Sequence, residues 1–283
     1  MPVSLQQPTA EVFIPDSTEL NQAIERTTHM AIGAHQDDLE IMAAKPILDC
    51  FQDHDRWFTG VILTDGRGSP RDHFYANYTD EQMRKVRFEE QKKAAVIGEY
   101  SALFLLDYPS SAVKNKDKHV IDDLYRILNK TFPKYVYTHN LTDKHDTHIA
   151  TALRVIQAIR LLPLEKRPEK LFGCEVWRNL DWLDDEEKIA FDLTDRENLQ
   201  MALLGVFDSQ ISGGKRYDLA AIGRRTTNAT FFESHGLDKS QRLSFAMNLT
   251  PLIKNDDEPI SDYILGFINQ FSQDVKNRLE KFG

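Results

Sequence analysis

Imidazoles and carboxylates crowd two short stretches of this sequence. One is His35-Gln36-Asp37-Asp38-Leu39-Glu40; the other runs from His139 to His148 and holds three of the nine histidines. Histidine nitrogen and carboxylate oxygen form the ligand set of a catalytic zinc, which takes three protein ligands and leaves a position open for water. Two histidines and one carboxylate suit that need. His145 and His148 are three apart, so on a helix starting there they share a face, with His148 able to ligate while His145 points at substrate. Adjacent Asp37 and Asp38 diverge in an extended or a helical backbone, which leaves one to ligate and one to act on the water, the division of labour of metal-assisted hydrolysis. Either cluster alone is more often a helix cap or a solvated turn. Capping does not account for the second set of histidines.

The elements that must position these residues follow from hydrophobic period and punctuation. An apolar run at 28–34 precedes the first cluster, and a helical pattern follows from about Leu39 to Phe51. A second run, 57–63, ends at a turn rich in glycine, serine and proline. Residues 80–100 read as a helix closed near Gly98, 102–106 as a third strand, 118–130 as a helix and 135–138 as a fourth strand, which leads into the second cluster. A helix over 149–162 follows, stopped by Pro163. Strands are expected near 171–177 and 188–193, and helices near 196–209, 216–231 and 261–281.

Strands alternating with helices predict an α/β fold: a doubly wound, mostly parallel, Rossmann-like sheet in three α/β/α layers. In the strand order 3-2-1-4-5, strands one and four are neighbours whose loops diverge into the ligand crevice. Both clusters then meet there. With no repeats or Pro/Gly-rich linkers, residues 1–283 are expected to form a single domain, less regular from about residue 180.

Composition narrows the function. The 35 basic against 44 acidic residues leave a net charge of −9, which opposes a broad nucleic-acid face. No window approaches the roughly 20 apolar residues of a bilayer span, and the first residues lack the form of a secretory signal. Two distant cysteines, Cys50 and Cys174, make no disulfide framework. The expectation is a cytoplasmic protein.

The segment Ala34-His35-Gln36-Asp37-Asp38-Leu39-Glu40 resembles the AHPDDxE signature of the PIG-L (LmbE-like) zinc-dependent N-deacetylases, and His145-Asp146-Thr147-His148 resembles that family's HxDH segment. The LTDG turn at 63–66, Val86-Arg87-Phe88-Glu89-Glu90, and Glu175-Val176-Trp177 stand in family order, over roughly the first 180 residues. The resemblance implies a zinc, with iron as the alternative, bound by His35, Asp38 and His148. Asp37 would be the general base, and a protonated His145 would face the developing oxyanion. It also implies that Arg87 contacts substrate hydroxyls and that Asp107 does similar work. The implied reaction removes an N-acetyl group from an N-acetylglucosamine-type amino sugar or its conjugate. Partners would be that small molecule, with no nucleic acid and no membrane span, and a homo-oligomer as a further option.

Two residues depart from the family pattern. Gln36 replaces a proline, removing a φ constraint and predicting a looser ligand loop. Thr147 replaces an aspartate, so a carboxylate orienting the ligand imidazole must come from Asp143 or Asp146. Arg67 and Arg71, where many members are acidic, suggest a negatively charged substrate group. Alternatives are an amidase on a thiol-sugar conjugate, which needs a larger apolar pocket, and a non-catalytic sugar- or nucleotide-binding homologue. The absence of GxGxxG from the first βα turn speaks against the latter.

Overall fold

The computed structural model describes residues 3–283. Its strands are β1 (Glu11–Phe13), β2 (His29–Gly33), β3 (Phe58–Thr64), β4 (Ala102–Tyr108), β5 (Tyr135–His139), β6 (Lys170–Cys174), β7 (Lys188–Asp192) and β8 (Leu243–Asn248). Its first helices are α1 (Leu20–Glu25), α2 (Asp38–Met42), α3 (Ala44–Cys50), α4 (Asp80–Ile97), α5 (Ser110–Lys114) and α6 (Lys118–Thr131). They continue with α7 (Asp146–Arg160), α8 (Glu197–Gly205), α9 (Asp208–Ile211), α10 (Tyr217–Phe231), α11 (Pro251–Lys254) and α12 (Ile260–Phe282).

All eight strands form one sheet in the order β1-β4-β3-β2-β5-β6-β8-β7. The stretch β4-β3-β2-β5-β6 is parallel and is the anticipated 3-2-1-4-5 arrangement. β1 adds antiparallel to β4, and β8 and β7 add antiparallel at the other edge. Each central strand is apolar on both sides because both sheet faces are covered. Met30, Ile32, Val61, Leu63, Phe104 and Leu106 point into one core layer; Ala31, Phe58, Ile62, Leu103 and Leu105 point into the other. That alternation is the two-residue period of a strand.

Three departures from the sequence reading have local causes. The helix expected from Leu39 to Phe51 is broken at Ala43 into α2 and α3. Pro46 has no N–H for the Met42 carbonyl, so an uninterrupted helix loses a bond there. The helix expected at 196–209 is likewise two, α8 and α9, separated at Val206 and Phe207. β1 and β8 are absent from the sequence reading: β1 is only three residues long, and β8 is a strand by virtue of pairing with β6 and β7. Among the described residues no helix is long and apolar enough to cross a membrane.

Candidate metal centre

The site begins where β2 and β5 part. Their backbone pairing runs from His29–Tyr135 to Ala31–Tyr137 and then stops. Side chains continue it: the Thr138 hydroxyl donates to the Ile32 carbonyl at 3.0 Å, and the Ala34 N–H donates to His139 Nε2 at 3.0 Å. On the other side of β2, the Thr64 N–H and hydroxyl both donate to the Ala34 carbonyl, at 2.9 and 2.8 Å. The segment from His35 to Asp38 is thereby clamped between β3 and β5.

Within that loop Gln36 is fully buried, and its amide donates to the Thr64 carbonyl at 2.8 Å. Its own carbonyl accepts from Arg87. The looseness expected from loss of a proline is therefore not found, since a side-chain hydrogen bond to β3 holds the loop instead. Gly66 faces Gln36 with φ +69°, and a Cβ placed there would lie 2.6 Å from Gln36 Oε1. Asp37 adopts φ 94°, a left-handed conformation rare for a residue with a side chain. Its N–H donates to Gln91 Oε1 at 3.1 Å, and Gln91 Nε2 in turn donates to Glu40 at 2.8 Å.

Donor atoms from both clusters converge. His35 Nδ1 lies 3.2 Å from His148 Nε2 and 3.3 Å from Asp38 Oδ2, while His148 Nε2 lies 3.4 Å from Asp38 Oδ1. Ligands on a tetrahedral ion with bonds near 2.05 Å stand about 3.3 Å apart. His35 and His148 meet different oxygens of Asp38, so the carboxylate faces both rings at distances near that ligand spacing. His139 Nε2 is also 3.3 Å from Asp38 Oδ2, and donor atoms of His145 lie within 4.8 Å of those of His35 and His148. Two overlapping triads share His148: His35, His145, His148 and Asp38, His139, His148.

Charge follows the geometry. Burial works against the Asp38 carboxylate, but the imidazoles of His148 and His139 hold it well below the usual range. Burial likewise opposes a charge on His148, yet Asp38 and Asp143 raise it. Burial, with Asp38 adding repulsion, pushes Asp37 up to about 7 against the pull of Arg87. His145 is pushed down to about 4 by burial and by the His148 and His35 rings, so without an ion its ring is neutral at pH 7. A neutral imidazole still offers one N–H.

Of the two carboxylates considered for orienting the ligand imidazole, Asp143 is the one in place. It faces His148 Nδ1 at 3.4 Å and accepts the N–H groups of His145 and Trp177 at 2.9 and 3.1 Å. Asp146 starts α7 and is exposed.

Arg87 is 2% exposed, with Nη1 3.5 Å from Asp37 Oδ2 and both Nε and Nη1 lacking a hydrogen-bond acceptor. Its helical neighbour Glu90 is engaged elsewhere, its oxygens taking the N–H and hydroxyl of Ser209 at 2.6 Å each. Asp107 is elsewhere: its oxygens bind Arg84 at 2.7 Å twice and the Thr9 hydroxyl, and it does not line the cavity. Arg67 and Arg71 are consumed by Asp65, Glu81 and Asp80, so their suggested role toward a charged substrate is not what the structure displays.

The cavity above the donors measures about 540 Å³ and is lined by His35, Asp37, Asp38, Arg87, His145 and His148. That is an ordinary size for a small-molecule site. Its far wall is α10, through Tyr217, Ala220, Ala221, Arg224 and Arg225, together with Trp177 and Glu175. Arg225 is buried and fixes α10 to α2 through the Glu40 and Ile41 carbonyls at 2.8 and 3.1 Å. Nothing local in the sequence marks these α10 residues, since only chain folding brings them to histidines 69 or more positions away. His139 lay inside the second cluster without a role, and its burial against β2 is what distinguishes it.

A doubly wound sheet with an imidazole and carboxylate cluster at its switch point defines the class, an α/β chain with a candidate metal centre. Residues 30–159 match the family model PIG-L, described as GlcNAc-PI de-N-acetylase. Among solved structures, N,N'-diacetylchitobiose deacetylase from Pyrococcus horikoshii is similar with TM-score 0.63 and 18% identity, over 84% of this chain and 88% of that one. GalB, the 4-carboxy-2-hydroxymuconate hydratase from Pseudomonas putida KT2440, is similar with TM-score 0.58 and 15% identity, over 79% and 96%. The zinc inhibited form of teicoplanin deacetylase Orf2 gives 0.55 and 13%, over 82% and 100%. At such identities the likeness speaks for the fold. No curated protein matches the sequence at a significant level.

Proposed function

We propose that this chain is a metal-dependent N-deacetylase of an N-acetylglucosamine-type amino sugar or its conjugate. The observation that carries the reading is the donor triangle of His35, Asp38 and His148 with Asp37 beside it, at the base of a cavity of about 540 Å³. The fold by itself does not choose, because its relatives include a hydratase as well as deacetylases.

His35, Asp38 and His148 would hold the ion, zinc or iron. When bound, such an ion polarises an acyl oxygen and lowers the pKa of its water toward about 7. Asp37 would accept the proton from the attacking water and pass it to the leaving amine; its pinned backbone and the Arg87 guanidinium fix where that oxygen sits. His145, 4.6 Å ring to ring from His148, would present its N–H to the acyl oxygen as negative charge develops. Arg87 lines the cavity, and its Nε–H, which has no hydrogen-bond partner, suits a sugar hydroxyl. Asp107 would reach substrate only if its pair with Arg84 opened.

The test is acetate release from a panel of N-acetylated amino sugars by protein loaded separately with zinc and with iron. Turnover is expected on at least one N-acetylglucosamine derivative. Cleavage restricted to larger acylated thiol-sugar conjugates, or consumption of an enol acid with no acetate formed, would overturn the reading.

A further inference from the structure

We propose that α12 is a pairing surface on which two copies of this chain dock as an antiparallel helix pair. α12 is anchored at its start: Ile264 is buried, Tyr263 and Phe267 pack against the core, and the Tyr263 hydroxyl donates to the Asn248 carbonyl at 2.5 Å. Gln270 makes the last hydrogen bond to another element, to Asp184. From 271 to 282 every residue except Asp274 is exposed, and the side-chain bonds stay within the helix.

The apolar face does not end where the core ends. Ile268, Phe271, Val275, Leu279 and Phe282 follow Ile264 at steps of four and three, on one stripe, and are 38% to 79% exposed. These residues continue a 23-residue helix that packs against the core only near its start, so the rest of its apolar side has no partner within the chain. A stripe of five large apolar side chains in a row marks an interface rather than scattered surface residues.

Charge selects the occupant. The chain carries −9, so two copies repel over most of their surface. Residues 271–282 are locally different, with Lys276, Arg278 and Lys281 against Asp274 and Glu280. Antiparallel pairing about a two-fold axis at Val275 sets Phe271 opposite Leu279 and Ile268 opposite Phe282 of the second copy. Asp274 and Arg278, already joined at 2.7 Å within one helix, then meet the same flank in reverse order, so each carboxylate lies against the guanidinium of the second copy. Such an isologous contact closes at two.

Analytical ultracentrifugation of the full chain from about 1 to 200 μM tests this. A concentration-dependent dimer is expected. Val275→Glu should remove it with circular dichroism unchanged, and Asp274→Arg or Arg278→Asp alone should weaken it at least about tenfold. The double swap Asp274→Arg/Arg278→Asp should restore it. A monomer throughout the range, a dimer indifferent to Val275→Glu, or a monomer that sediments with phosphatidylserine vesicles through this helix would overturn the proposal.

Discussion

His139 Nε2 accepts the Ala34 backbone N–H at 3.0 Å, beyond the last backbone pair of β2 and β5 at Ala31 and Tyr137, while its ring stacks on His148 with centroids 3.8 Å apart. A residue that touches the strand end, Asp38 and His148 together sets the spacing of the donor atoms. His139→Gln keeps an acceptor near the Nε2 position, and His139→Phe removes it. Zinc affinity by chelator competition should fall about 10- to 100-fold in the Phe variant and less in the Gln variant. Equal affinities in the two variants would refute the positioning role.

In the proposed reaction Asp37 handles the proton and does not hold the metal. Asp37→Ala should retain metal by elemental analysis and lose about 10²- to 10⁴-fold in kcat for acetate release, the range for removal of a general acid or base. His35→Ala and His148→Ala should lose the metal itself. Full turnover by Asp37→Ala would remove it from the mechanism.

Asp143 faces His148 from outside the proposed donor set. Asp143→Asn leaves the side chain nearly isosteric but replaces the carboxylate that faces His148 Nδ1 at 3.4 Å. Metal affinity should drop about 10- to 100-fold with kcat of the loaded protein less affected. Asp146→Asn, at the exposed start of α7, serves as the control and should leave affinity unchanged.

Gly66 answers to Gln36. Ala at this position meets both the positive φ and the contact at 2.6 Å, so Gly66→Ala should lower stability by about 1–3 kcal/mol in urea denaturation. The variant should also bind metal more weakly, because the displaced Gln36 belongs to the ligand loop. An unaltered denaturation midpoint would show that the turn relaxes freely.

The buried His29 in β2, remote from the donor triangle, gives a pH dependence. Burial pushes its pKa down to about 4, so the unfolded chain takes up a proton below 6.5 that the folded chain refuses. Below 6.5 the unfolded state binds more protons, and stability falls as pH falls from 6.5 to about 4, by up to about 3 kcal/mol from this group. The difference between wild type and His29→Gln in urea denaturation should narrow over that window. A difference constant from pH 7.5 to 4.5 would contradict it.

Much of the architecture could be read from local pattern. Central strands buried on both faces carry unbroken apolar runs, and right-handed crossovers leave few strand orders, so the meeting of the loops after β2 and β5 followed from counting strands. The Ala43 break follows from Pro46, a local signal that the apolar period of the segment masks. Other features had no local trace. Whether Arg87 faces solvent or Asp37, and whether Asp107 faces a ligand or Arg84, depends on which neighbours reach each side chain first. Arg67 and Arg71 found partners among acidic residues of the same turn and helix.

By itself the sequence determined the alternating elements, the sheet order and the residue types gathered at its switch point, because periodicity and turn chemistry act over a few residues. Tertiary structure alone decided that His139 clamps Ala34, that Asp143 backs His148, that α10 walls the cavity and that α12 runs on beyond its core. Those outcomes depend on burial and on pairings across tens to hundreds of residues, where desolvation and hydrogen-bond completion choose among partners that local pattern leaves equivalent.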